Sequence, residues 1–118
     1  LRSSAEAVAA VVDLDARAGW SIAWQSAGAT PEPWRGPDIL DVIRDRAATG
    51  GADGVLVCPQ GFVADHLEVA YDLDIETAAV AREAGVAFAR TRVLNDDPAV
   101  LAALARRVLA AAPAATAP

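Results

Sequence analysis

The run Gly54-Val-Leu-Val-Cys58 does most to limit what this chain can fold into. It is short, apolar and rich in valine. Pro59 and Gly61 follow at once, and then a long helical pattern. An apolar run without polar alternation reads as a central parallel strand covered on both faces. A parallel strand reaches its partner only through a crossover, usually a helix. The flanking sequence supplies such crossovers on both sides.

Ser3 or Ser4 is placed to cap a first helix, with Glu6 early in it. That helix runs to about Ala18 and stops at Gly19. Trp20 to Trp24 reads as a buried strand, and Gln25 to Pro37 as a long loop punctuated by prolines and glycines. Asp38 begins a second helix, which Gly50-Gly51 ends. After the Gly54–Cys58 strand a third helix extends from about Asp65, its expected N-cap, to Ala84. Gly85 ends it, and Val86 to Thr91 forms another strand. Asp97 caps a last helix with Pro98 at its first position. The order α-β-loop-α-β-α-β-α implies an α/β fold, a three-layer parallel sheet with helices on both faces. The expected domain is 1–111, with 112–118 a flexible tail. Ligands of such sheets bind beyond the carboxyl ends of the strands, where the segments after Trp24 and Cys58 begin.

Composition narrows the partners. The net charge of −6 argues against a nucleic-acid backbone. All ten basic residues are arginine, which reads as a source bias. The single cysteine, Cys58, can form neither an internal disulfide nor a zinc site and is expected to be a buried thiol. No apolar run is long enough to span a bilayer and no signal peptide is visible, so the expected location is cytoplasmic. With no methionine at all, the chain is read as a piece of something longer.

The third helix carries the chemistry. Glu68, Asp72 and Glu76 recur every four residues, which on a helix stacks three carboxylates on one face. Like charges at that spacing repel by roughly 0.2–0.5 kcal/mol per pair. His66, the only histidine, stands two residues before Glu68. By pattern alone such a row is most often a solvated surface, and it lacks the spacing of a closed metal site. The functional alternative is handling of a cation or of protons.

Two blocks of sequence sharpen the choice. Gly61-Phe-Val-Ala-Asp-His-Leu-Glu-Val-Ala-Tyr-Asp-Leu-Asp74 resembles the signature of the ferrochelatases, which insert ferrous iron into a porphyrin. Trp24-Gln25-Ser26 with Thr30-Pro-Glu-Pro-Trp-Arg-Gly-Pro-Asp38 agrees with it in order and spacing. The resemblance runs from about Trp20 to Leu109. It implies one Rossmann-like half of a chelatase fold, the C-terminal half of a two-domain enzyme, inactive without its N-terminal half. It places Glu68 at the metal-insertion glutamate and makes Asp72 and Glu76 the outer members of the acid row. His66 falls near the active site, either orienting Glu68 or serving structure. Trp34, Gln25 and Ser26 are the implied substrate-binding residues. The implied partners are porphyrin and ferrous iron, the iron being a substrate. Coproporphyrin III is favoured because Trp24-Gln25-Ser26 with Thr30-Pro-Glu-Pro-Trp34, and the soluble character, resemble the bacterial coproporphyrin group. The alternatives are a protoporphyrin IX ferrochelatase, a cobalt or nickel chelatase of related fold, and a non-catalytic porphyrin-binding half-domain. The family's second metal-site residue, an upstream histidine, has no counterpart here. Cysteines that bind an iron–sulfur cluster near the C-terminus of some relatives are also missing, so none is expected in this chain.

Overall fold

The structure is a computed structural model. It describes residues 1–14, 19–26 and 35–112. Helix α1 (Arg2–Val11) comes first, followed after the loop by helix α2 (Ile39–Ala48). Strand β1 (Gly54–Val57) leads into one continuous helical stretch in three parts. These are α3 (Leu67–Val69), a π-helix (Ala70–Thr77) and α4 (Ala78–Glu83). Strand β2 (Ala87–Arg90) and helix α5 (Pro98–Ala111) complete the described chain.

The punctuation of the sequence explains most of these limits. The Asp38 carboxylate accepts from the Leu40 N–H at 2.8 Å and so starts α2. Asp97 does the same for α5, accepting from Ala99 at 2.9 Å and Val100 at 3.2 Å, with Pro98 at the first position. Gly85, at φ +73°, turns the chain from α4 into β2. At the opposite end expectation and structure part. Leu1 is the N-cap of α1 and no side chain closes it, while Ser4 Oγ donates to Gln60 Oε1 at 2.9 Å. The expected end of the first helix and the tail beyond Ala112 lie outside the described residues.

β1 and β2 pair in parallel, Gly54 opposite Ala87 and Val57 opposite Arg90. A Cβ on Gly54 would sit 3.3 Å from that of Ala87, so glycine suits this close approach. One face of the pair carries Val55, Val57 and Phe88. It packs on Ile39, Ile43 and Ala81, with Ala23, Leu40 and Val80 around them. Ile43 and Ala81 are fully buried.

Three expectations are corrected here. The unbroken apolar run predicts a strand covered on both faces, but β1 alternates: Val55 and Val57 face the core while Leu56 is 69% exposed. Ala87 and Ala89 are exposed beside it. The sheet therefore has helices on one face, and the three-layer arrangement is not formed among the described residues. Trp20 to Trp24 forms no strand. It contributes one parallel bridge, between Trp24 and Asp38, with Trp24 N–H donating to the Pro37 carbonyl at 2.9 Å and Ile39 N–H to the Trp24 carbonyl at 2.8 Å. Cys58, expected to be buried, is exposed just past the end of β1. Among the described residues nothing covers the outer sheet face, which leaves Leu56 and Cys58 exposed.

Helix α5 shows the same openness. None of its residues is buried, and Leu101, Leu104, Val108 and Leu109 are exposed. With little packing to hold it, α5 depends on its cap. Asp97→Ala should cost the helix about 1 kcal/mol. The expected result is faster amide exchange over 98–104 with no change over α2. No described helix is long and apolar enough to cross a membrane.

Candidate active site

The site begins where β1 runs out. The chain turns through Cys58 to Asp65, and the Phe62 and His66 rings meet edge to face, centroids 4.3 Å apart. His66 then caps the helix: its backbone is extended and its Nδ1 accepts from the Glu68 N–H at 3.2 Å. Capping leaves only Nε2 to reach another group. The sequence reading assigns the N-cap to Asp65, and this is corrected. The Asp65 carboxylate instead accepts from Asn95 Nδ2 at 2.9 Å, while the Asp65 N–H donates to Asn95 Oδ1 at 2.9 Å.

The next eight residues form the π-helix, where an α-helix is expected. The inward side chains supply a reason. Val69, Leu73, Thr77 and Ala81 are all buried, and they are spaced four apart. An α-helix of 3.6 residues per turn would rotate each successive member about 40° away from the last. Wider π turns bring the four-residue spacing back into line and let all four reach the core. The Thr77 hydroxyl reinforces the widening by donating to the Asp72 carbonyl, five residues back, at 2.5 Å. Glu68, Asp72 and Glu76 each precede a member of the buried row. They therefore share its spacing, and the same widening lines them up along the flank of the buried face.

The two blocks meet at Asp72. Ser26 Oγ donates to Asp72 Oδ2, and Gln25 Nε2 approaches the same oxygen at 3.4 Å. Ser26 is held at φ +64°, a left-handed conformation unusual for a residue with a Cβ. Around this contact lies an open polar cavity of about 200 Å³, lined by Gln25, Ser26, Asp38, Asp72, Glu76 and Thr77. The sequence residues Gln25, Ser26, Asp72 and Glu76 are thus brought together. Glu68 and His66 stand exposed at the start of the helix and do not line this cavity. Trp34 lies outside the described residues. Asp38, expected only as the start of a helix, and Thr77 join the lining without having been named as site residues. The four-residue spacing of the buried row was the available signal for Thr77.

On the far side of the helix Arg90 grips Asp74, Nε to Oδ1 at 2.6 Å and Nη2 to Oδ2 at 2.8 Å. This hydrogen bonding, reinforced by the guanidinium charge and opposed by partial burial, holds the Asp74 carboxyl below its usual range and raises Arg90. Among the described residues no three His, Cys, Asp or Glu side chains converge on one point to cage a metal. The acids form a series of separate carboxylates. Such a series can take up a hard cation or protons one group at a time.

A sequence model of the ferrochelatase family matches residues 1–112. The chain belongs to the ferrochelatase family. Relatives agree with that assignment. A ferrochelatase of Herpetosiphon aurantiacus is 48% identical over 99 residues, covering 84% of this chain and 31% of the relative. A coproporphyrin III ferrochelatase of Geobacillus thermodenitrificans is 48% identical over 90 residues, 76% of this chain and 28% of the relative. One of Bacillus subtilis is 43% identical over 90 residues, 76% and 29%. The matched part thus spans less than a third of these curated relatives, less than the half that the sequence reading expects. The ferrochelatase signature Gly61–Asp74 covers the cap, Glu68 and the first turns of the π-helix, and the second block supplies Gln25 and Ser26.

Proposed function

We propose that this chain is part of an enzyme that inserts ferrous iron into a porphyrin in haem synthesis, with coproporphyrin III as the porphyrin. The observation that carries the reading is the meeting of the two family blocks at Asp72, on a helix whose acid row begins at Glu68. The reaction takes Fe²⁺ and a free-base porphyrin to the metalloporphyrin and two protons. It therefore needs groups that accept protons and groups that exchange with the water around a hard cation. In this reading Glu68, at the exposed end of the row, faces the macrocycle and takes a pyrrole proton or a position on the entering iron. Asp72 and Glu76 form the outer part of the path, with Ser26 and Gln25 holding Asp72 in place. His66 fixes the first turn through its cap and so sets where Glu68 projects.

The choice of coproporphyrin III is supported by the relatives from Geobacillus and Bacillus, which carry that name. The rest of the full-length protein supplies the opposite wall of the porphyrin cleft and the second metal-site residue. It also covers the outer face of the sheet, giving the three-layer arrangement. A direct test follows free-porphyrin fluorescence in the full-length protein on anaerobic addition of Fe²⁺, with coproporphyrin III and protoporphyrin IX in parallel. Rapid quenching with coproporphyrin III alone is expected. Turnover of protoporphyrin IX alone would reverse the substrate assignment, and binding without insertion would remove the enzyme.

A further inference from the structure

We propose that Arg90 is a positioning residue, a clamp that ties both the entry and the middle of the acid-bearing helix to the end of the sheet. The proposal rests on the function inferred above for the row. Arg90 is the last residue of β2. Its fork closes on both carboxylate oxygens of Asp74, and Nη2 also lies 3.4 Å from Asp65 Oδ1. Its Nη1 donates to the Thr91 carbonyl at 3.2 Å, so all three guanidinium nitrogens are engaged. The Arg90 side chain is 18% exposed, far less than Asp74 at 44% or Asp65 at 49%. Asp65 is held from its other side by Asn95, whose own N–H donates to the Val63 carbonyl at 2.8 Å.

The placement of the two anchors gives the clamp its purpose. Asp65 precedes the helix and Asp74 sits inside the π-helix, so Glu68 lies between two fixed points. Asp74 is two residues from both Asp72 and Glu76, roughly half a turn around the helix. Arg90 therefore grips the back of the row and leaves the acid face open. An ion pair this exposed adds little to global stability. What a bidentate guanidinium adds is orientation, which a lysine point charge cannot copy. A displacement of about 1 Å at a reacting group can cost about 100-fold in rate.

The test uses the full-length protein. Arg90→Ala should lower kcat for iron insertion by roughly 10- to 100-fold, the loss expected of misplacement, with the KM for porphyrin unchanged and a similar melting temperature. Arg90→Lys should fail to restore the rate. Asp74→Ala should match Arg90→Ala, and the double variant should be no slower than either. Amides of 70–77 should exchange faster in Arg90→Ala while those of 98–111 do not change. A normal kcat in Arg90→Lys would overturn the clamp, as would losses that multiply in the double variant. Should Arg90→Ala fail to fold, Arg90→Lys, which keeps the stem and the charge, carries the test. If the wild-type protein inserts no iron, the proposed function falls and the exchange experiment alone judges the clamp. Unchanged protection over 70–77 would then overturn it.

Discussion

Replacing Glu68 with alanine in the full-length protein is expected to slow iron insertion by roughly 10²- to 10⁴-fold, the range for loss of a positioned proton acceptor. The fold should tolerate the change. Glu68 is exposed in the first turn of its helix, and it is the backbone N–H that the His66 cap uses, which alanine keeps. Losing one member of a like-charged row also relieves some repulsion. The measurement pairs steady-state metal insertion with a thermal melt. A large loss of rate at an unchanged melting temperature supports the assigned role. Near-normal turnover would remove Glu68 from the chemistry and leave the acid row as surface. Glu68→Gln refines the outcome, because an amide keeps the size and a coordinating oxygen but cannot accept a proton at neutral pH.

How far the sequence could be read depended on how local the governing interaction was. Asp38, Asp97 with Pro98, and Gly85 act within a few residues of themselves, and each performs the boundary role its neighbours imply. Asp65 did not. Asp and His are both able to cap, and the contest between adjacent candidates was decided thirty residues away by Asn95, which occupies the Asp65 carboxylate. The π-helix lay in plain view as four-residue spacing in Val69, Leu73, Thr77 and Ala81. It was obscured because the acid row shows the same spacing, and a four-residue step is close enough to 3.6 to pass as an ordinary helix. The meeting of Ser26 with Asp72 links residues forty-six apart. Only the pairing of the two family blocks hinted at it. Arg90 gave no signal, because an arginine ending a strand looks like any solvated charge until its fork is seen on Asp74.

The exposed sheet face is the point on which the next stability measurement turns. Ile43 is fully buried beneath β1 and β2, so Ile43→Ala leaves a cavity among Ile39, Ala81, Val55, Val57 and Phe88. The expected cost is about 2–5 kcal/mol. That is a large part of the roughly 5–15 kcal/mol that holds a domain together. Leu56, one residue along from Val55, points the other way and is 69% exposed. In this chain alone Leu56→Ala should change stability by no more than about 0.5 kcal/mol, as at other surface positions. In the full-length protein the same substitution should cost as much as a core truncation if the remainder of the protein packs on the outer face. Denaturant melts of both variants in both lengths of protein separate the cases. A Leu56→Ala variant that is silent in both would mean that the sheet keeps one open face, and the three-layer arrangement would have to be given up. A loss confined to the full-length protein would locate the missing layer on Leu56, Ala87 and Ala89, the outer face of β1 and β2 that no described residue covers.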